Sequence, residues 1–214
     1  MSSPDERALA IGYAPADRRA ALAALFALDD RLAAILRTTR EPLVGQMRLT
    51  WWHEALSGLT PGDGPAEPVL SALSRDVVAL TAAAPLADLV EGWEALLDIP
   101  LDRAALARHA EARGAGLFSL AAVVLDRDSE QVRLAGEGWA LADLSRHLSD
   151  SSLAAEARRT AEEGLARALS PRWPVALRAL GAMAHLARLD LRDDRPEDHP
   201  ARAARILWHR MTGR

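Results

Sequence analysis

Apolar residues recur along most of this chain at the three- and four-residue spacing of an α-helix. The pattern is clearest between about Asp17 and Thr38, where one side of a single long helix is predicted to be apolar. Its apolar positions are Leu22, Leu25, Phe26, Leu28, Leu32, Ile35 and Leu36. No segment alternates between apolar and polar residues as a half-buried strand does. The pattern therefore predicts an all-α fold.

Proline, glycine and capping residues divide this pattern into helices. Ser3 with Pro4 and Glu6 is typical of a helix start, and Gly12 to Pro15 should end that helix. Glu41-Pro42 should end the long helix and start the next. Thr60 to Pro68 is the clearest loop. Further helices are predicted at about 68–83, 85–97, 102–125, 129–148, 152–169, 174–191 and 199–211.

Composition narrows the class of protein. With 214 residues, half of them hydrophobic, the chain can bury a real core, and we expect one domain over residues 1–214. The absence of cysteine excludes disulfides, thiolate metal sites and cysteine nucleophiles. All 26 basic residues are arginine, which excludes a phosphate-loop lysine and a Schiff base.

Charge and hydropathy give an expected location. The net charge of −4 argues against binding to nucleic acid. No apolar run approaches the roughly 20 residues of a membrane span, and the first residues lack the basic and apolar regions of a signal peptide. We therefore expect a cytoplasmic protein.

Two acidic segments could bind a metal. Asp143 and His147 are four residues apart and share a helix face with Asp150 nearby, a set that suits zinc, manganese or iron. The alternative is a solvated helix end with local ion pairs, which is the commoner arrangement. Asp29-Asp30 interrupts an apolar helix and could hold magnesium and a diphosphate. Because neither has a second carboxylate one turn later, the polar face of an amphipathic helix is favoured there.

Aromatic and basic residues cluster around the end of the long helix and in the helix that follows. Trp51 and Trp52 point about 100° apart, so one is expected in the core and the other in a groove between helices. Arg37, Arg40 and Arg48 lie close by in sequence and suit phosphate recognition, although they are equally consistent with a surface.

Two further segments have a structural and a functional interpretation. Residues 199–212 carry basic residues on one side and apolar ones on another, which suits peripheral contact with an anionic membrane. A helix docked on the core is the favoured alternative. Arg113-Gly-Ala-Gly116 follows no strand and is no dinucleotide motif, so its small residues should allow close helix contact or a kink.

Four segments together resemble the squalene/phytoene synthase family. They are Arg18-Arg19 followed by Ala24 to Leu28, Glu41 to Leu56 with its arginine and paired tryptophans, His109 to Gly116, and Gly138 to Asp150. They occur in the family's order over most of the chain. The resemblance implies a single-domain, isoprenoid-synthase-like helical bundle with a central cavity.

The resemblance also implies altered chemistry. In active members, two aspartate-rich motifs bind magnesium, which holds the diphosphates of two prenyl substrates. Here the first motif has Ala33, Ala34 and Arg37 in place of its aspartates, whereas the second keeps Arg146 and Asp150. Its other aspartates are replaced by His147 and Ser151. An alanine cannot bind magnesium and an arginine repels it, so catalysis should be impaired.

The expected site residues combine the local patterns with this resemblance. We expect substrate contacts from Arg37, Arg48, Arg146, Trp51 and Tyr13, and a metal set of Asp29, Asp30, Asp143, His147 and Asp150. No catalytic residue is predicted. No cofactor is expected, except magnesium if the protein is active.

The chain more closely resembles a degenerate branch of the family, which includes bacterial proteins without an assigned function and a mitochondrial complex I assembly factor. That branch keeps the segment from Glu41 to Trp52, where Gln46 is a mild departure. The leading hypothesis is a non-catalytic relative that binds an isoprenoid diphosphate, a lipid-like ligand or a protein partner. The alternatives are an active prenyl-diphosphate transferase with an unusual magnesium site, and an unrelated helical adaptor.

Overall fold

The computed structural model describes residues 4–127, 129–192 and 199–214, and helices form its framework. Within these residues the only β-type pairing is an isolated bridge between Thr60 and Asp63. The α-helices are α1 (Pro4–Ile11), α2 (Arg19–Thr38), α3 (Pro42–Ser57), α4 (Pro68–Asp76), α5 (Ala84–Glu94), α6 (Arg103–His109), α7 (Gly116–Val124), α8 (Glu130–Ser145), α9 (Ser151–Ala168), α10 (Arg178–Arg192) and α11 (Pro200–Thr212). The predicted all-α fold is confirmed.

Most helix boundaries lie where local signals predicted them. Prolines stand in the first turn of α3 and α4, where their missing N–H costs no helical hydrogen bond. The helix predicted over 68–83 is shorter than expected and ends at Asp76. The N–H groups of Val77 and Val78 both donate to the Leu73 carbonyl, and this closes the last turn. The predicted cap Ser3 lies outside the described residues.

The helix predicted over 102–125 is continuous but contains a π-helical segment. Residues Ala110–Ala115 adopt this wider helix between α6 and α7. Here Gly114 passes Gly136 of α8 so closely that a Cβ on either residue would collide with the backbone carbonyl of the other. The close helix contact expected of these small residues is confirmed. Short π-helical insertions are frequent at functional sites.

Two helices form the middle of the molecule. Helix α2 packs against α1, α3, α4, α5 and α7, while α8 packs against α7, α9, α10 and the π-helical segment. Phe26, Phe118 and Trp139 join α2, α7 and α8, with ring centroids 5.5 to 6.3 Å apart. One buried apolar cluster extends from Ala10 to Ile206, and it surrounds the candidate site below.

Helix α11 docks on the core through its basic side. Arg202 donates to both carboxylate oxygens of Glu6 in α1, at 2.6 and 3.0 Å, and lies 2.6 Å from Asp190 of α10. Ile206 and His209 are fully buried on the same side. The favoured docking interpretation of residues 199–212 is therefore confirmed for α11. None of the helices in the described part of the chain is long and apolar enough to span a membrane.

Candidate functional site

A buried arginine joins two acidic helices at the centre of the bundle. Arg113 lies on the π-helical segment and is 1% exposed. Its Nε and Nη2 donate to the two carboxylate oxygens of Asp29 in α2, at 2.8 and 2.9 Å. Its Nη1 donates to Oδ2 of Asp143 in α8, at 2.8 Å. One guanidinium therefore bridges carboxylates from two helices that are far apart in sequence.

Two tryptophans hold this guanidinium. The Arg113 Cζ lies 4.3 Å from the ring centroid of Trp93 and 4.7 Å from that of Trp139. A desolvated cation over an aromatic face gains electrostatic stabilisation, and a guanidinium can also stack. The rings thus exclude water from the ion pairs and fix the guanidinium plane.

His109 completes the cluster as a neutral side chain. Its Nδ1 lies 2.6 Å from the Gly92 carbonyl oxygen, which can only accept, so Nδ1 carries the proton. Its Nε2 is then free to accept from Nη1 of Arg113, at 3.3 Å. Burial and the neighbouring Arg113 charge lower the pKa of His109 to about 3, so the imidazole stays neutral near pH 7.

The charges in the cluster depend on one another. Burial raises the pKa of Asp29, and Arg113 opposes that effect. Burial also disfavours the charged form of Asp143, but the charge and hydrogen bond of Arg113 hold its pKa well below its usual range. Burial works against the Arg113 cation too, yet the two carboxylates raise its pKa. Arg113 is therefore permanently charged.

A cavity of about 250 Å³ opens from this cluster toward solvent. Five of its eleven lining residues are leucines, and Arg37 and His147 lie at its exposed side. The Nε1 of Trp93 is buried and has no hydrogen-bond partner among the residues that the structure describes. The lining residues are Ala33, Leu36, Arg37, Trp93, Leu96, Leu101, Arg113, Asp143, Leu144, His147 and Leu148.

The structure brings some of the predicted site residues together. Asp29 and Asp143 meet at Arg113, while Arg37 and His147 line the same cavity. Interpreting Asp29 as part of a polar surface was wrong, because Asp29 is only 2% exposed. The alternative interpretation, a solvated helix end, is correct for His147. It is wrong for Asp143, because the side chain of Asp143 is only 12% exposed.

Other members of the predicted metal set are engaged elsewhere. Asp30 accepts from Arg7 at 2.7 Å, and Asp150 caps α9 by accepting from the backbone N–H of Ser152 and Leu153. Within residues 4–127, 129–192 and 199–214, no group of three or more acidic or histidine side chains is arranged to hold a metal ion.

The residues at the centre do not fit magnesium. Asp29 and Asp143 direct their oxygens at a guanidinium, and the positions one turn beyond Asp29 are Leu32 and Ala33, neither of which can bind a metal ion. A hard divalent cation needs oxygen ligands and no fixed cation among them. The Arg113 charge lies where such an ion would have to bind these two carboxylates.

The remaining predicted contacts lie outside the cavity lining. Arg146 pairs with Asp190 at 3.8 Å. The Arg210 guanidinium lies 4.9 Å from the Tyr13 ring centroid. Nη1 of Arg48 donates to the Thr39 hydroxyl at 2.9 Å.

The tryptophan pair divides between core and surface. Trp52 is buried as predicted, but Trp51 is half exposed on the outside of α3, so its expected place in a groove between helices was wrong. The two rings meet edge to face, with centroids 5.4 Å apart.

The sequence-based prediction missed Arg113, His109, Trp93 and Trp139. One signal was available for the first two. His109 and Arg113 are four residues apart in a segment rich in alanine and glycine, so they share a helix face that the surroundings predict to be buried. Two polar side chains on a buried face require partners, and a buried arginine cation in particular requires carboxylates from elsewhere in the chain.

Comparison with known proteins agrees with the four sequence segments. Residues 3–152 match the family model for squalene/phytoene synthase. No curated protein matches the chain, and neither does any solved structure. The matched residues include the central cluster with Asp29, Arg113 and Asp143. The match covers well over half of this chain, and the chain therefore belongs to the squalene/phytoene synthase family.

Proposed function

We propose that this protein is a catalytically inactive member of its family that acts by binding a protein partner, in the manner of an assembly factor. The observation that carries the proposal is the pairing of Arg113 with both Asp29 and Asp143. A tethered cation balances these carboxylates, and it neither exchanges nor holds a substrate diphosphate as a metal ion does.

The size of the cavity supports the same conclusion. Small-molecule sites usually enclose about 300–1,000 Å³, and the space beside Arg113 is about 250 Å³. Two prenyl diphosphates need far more room than one small site offers. A protein partner needs no interior cavity, so the outer surface becomes the functional part of the molecule.

A second candidate, binding of one isoprenoid-diphosphate-like lipid, draws support from the cavity walls. Leu36, Leu96, Leu101, Leu144 and Leu148 offer an apolar channel. Arg37 at the exposed side is a suitable partner for an anionic head. The buried N–H of Trp93 could donate to an oxygen of such a ligand.

Catalysis is tested by incubating the purified protein with labelled farnesyl diphosphate and magnesium. We expect no release of diphosphate above a protein-free control, while an active family member serves as the positive control. Release that depends on this protein and on magnesium would overturn the proposal and support the unusual transferase.

Binding is tested by isothermal titration with farnesyl diphosphate, with and without magnesium. The inactive partner-binding protein predicts no heat in either titration. Binding that is independent of magnesium and lost in Arg37→Ala would support the lipid-binding candidate instead. Arg158→Ala is the matched control, because this exposed arginine of α9 lies outside the cavity lining.

A further inference from the structure

Helix α3 has a second apolar side that nothing in the described structure covers. Gly45, Leu49, Trp52 and Leu56 face the core and are buried. On the opposite side, four large apolar residues form what we call the outer α3 face. These are Leu43, 68% exposed, Val44, 41%, Met47, 66%, and Trp51, 50%.

The four residues form a continuous stripe. Leu43, Met47 and Trp51 are spaced four apart, so they follow one another along the helix, and Val44 lies beside them. Scattered exposed apolar residues are normal, whereas a contiguous group usually marks an interaction site. Tryptophan and methionine are also enriched in protein interfaces.

One edge of the outer α3 face is acidic. A groove of about 480 Å³ separates α3 from the end of α5, and Glu91, Glu94 and Asp98 line it beside Gln46. Arg108 is also in this groove and pairs with Asp98. Three carboxylates against one guanidinium leave this edge net negative.

The other edge is basic. Beside Val44, a groove of about 290 Å³ lies between α3 and the end of α2, and Arg40 and Arg48 line it with Glu41. Nη1 of Arg48 donates to two threonine hydroxyls there, among them that of Thr39 at 2.9 Å. Two guanidinium groups against one carboxylate leave this edge net positive.

We propose that the outer α3 face binds a second copy of this chain, with the two α3 helices parallel and related by a twofold axis along them. That operation brings the acidic edge of each copy against the basic edge of the other, so the surface is complementary to itself. A twofold axis perpendicular to α3 would make the helices antiparallel and oppose edges of like charge. An anionic membrane is disfavoured, since the acidic edge and the net charge of −4 repel it.

Cysteine crosslinking tests both the contact and its direction, because the chain has no native cysteine. In a parallel dimer each residue of the stripe meets its own counterpart. We therefore expect Leu43→Cys and Trp51→Cys each to form a disulfide-linked dimer on mild oxidation. An antiparallel dimer would instead crosslink only a mixture of the two variants, which would overturn the proposed geometry. Val175→Cys, at a position 71% exposed and outside α3, is the control.

Solution mass provides a second test. We expect twice the chain mass of 23.1 kDa by light scattering, and Met47→Glu should weaken the dimer at least about tenfold. Val175→Glu should leave the dimer unchanged. A monomer at every concentration at which the wild type stays soluble would overturn the proposal.

Charge reversal tests the complementarity itself. Glu91→Arg and Arg40→Glu should each weaken the dimer, because each places like charges on facing edges. The double variant should restore it. Weakening by both single variants without rescue in the double variant would show that the edges do not pair as proposed.

This contact is independent of the inactive centre, so a dimer that released diphosphate would overturn the proposed function alone.

Discussion

Two buried arginines, each held by carboxylates from two other helices, stabilise different parts of this molecule. Arg113 joins α2 and α8 through Asp29 and Asp143 at the centre, and two tryptophan ring centroids lie 4.3 and 4.7 Å from its Cζ. Arg202 joins α1 and α10 through Glu6 and Asp190, and it fastens the last helix.

The surroundings of the two arginines differ more than their ion pairs do. Arg113 is surrounded by helices that cannot separate without opening the core. Arg202 lies on α11, which covers the core from one side and has exposed residues on its other face. An ion pair in water-free surroundings costs more to break than one that solvent can reach when a helix lifts. The comparison therefore predicts a global effect at Arg113 and a local effect at Arg202.

Loss of the central arginine should have the largest effect. Arg113→Ala leaves Asp29 and Asp143 buried without their cation, which should lower the free energy of unfolding by about 3–5 kcal/mol. Urea denaturation followed by far-ultraviolet circular dichroism measures this change. Combining Arg113→Met with Asp29→Asn and Asp143→Asn should recover most of the loss, since no buried charge then lacks a partner. Failure of this triple variant to recover stability would mean that packing rather than charge is the main role of Arg113.

Replacing Arg202 by alanine should lower the free energy of unfolding by less than Arg113→Ala does. Arg202→Ala removes charged hydrogen bonds that are typically worth about 1.5–3 kcal/mol, and Glu6 and Asp190 can regain water if α11 shifts. Amide hydrogen exchange should accelerate in α11 and α1 while α8 stays protected. Equal acceleration in α8 would contradict the local role of this cluster.

Local signals predicted the helices, but neither arginine cluster. Pro42 and Pro68 mark helix starts because proline's constraint acts on its own backbone and that of the preceding residue. Arg113 and Asp29 are 84 residues apart, and Arg202 and Glu6 are 196 apart. Their pairing depends on how whole helices pack. The family resemblance drew attention to Ala33, Ala34 and Arg37 but gave no sign that a tethered cation binds the remaining carboxylates.

Glycine-to-alanine substitutions compare how tightly the helices pack near Arg113 with how tightly α11 packs on the core. Gly136→Ala would drive a Cβ into the Gly114 carbonyl beside Arg113, and overpacking of this kind costs about 1–3 kcal/mol. Gly181→Ala would meet the rings of His209 and Trp173. Because His209, the nearer of the two, lies on α11, which can shift outward, we expect a smaller loss of stability. Gly164→Ala is the control, because its Cβ would come no nearer than 3.7 Å to any neighbour. Thermal denaturation should rank the three variants in that order, and an unchanged Gly136→Ala would contradict the tight central crossing.

Buried histidines should make both regions sensitive to acid. Burial and nearby arginine charges lower the pKa of His109 and of His185 to about 3, and burial lowers that of His209 to about 4. The unfolded chain takes up these protons near pH 6.5 while the folded protein does not. The stability that these neutral histidines contribute is therefore fully present above pH 6.5. It is lost as pH falls through an interval that ends at about 4 for His209 and at about 3 for His109 and His185.

Each histidine should contribute about 1.4 kcal/mol of lost stability per pH unit within that interval. Asp143 adds to the loss only at lower pH, since its pKa is held below the ordinary 3.8. Urea denaturation at pH 7.5 and 5.5 should show a smaller difference in His109→Gln and in His209→Gln than in the wild type. Because His109 is enclosed by Arg113 and the Gly92 carbonyl, acid should affect the whole fold through it. Protonation of His209 should first destabilise α11. Hydrogen exchange at pH 5.5 should therefore distinguish the effects of the two histidines, even if both lower the free energy of unfolding equally.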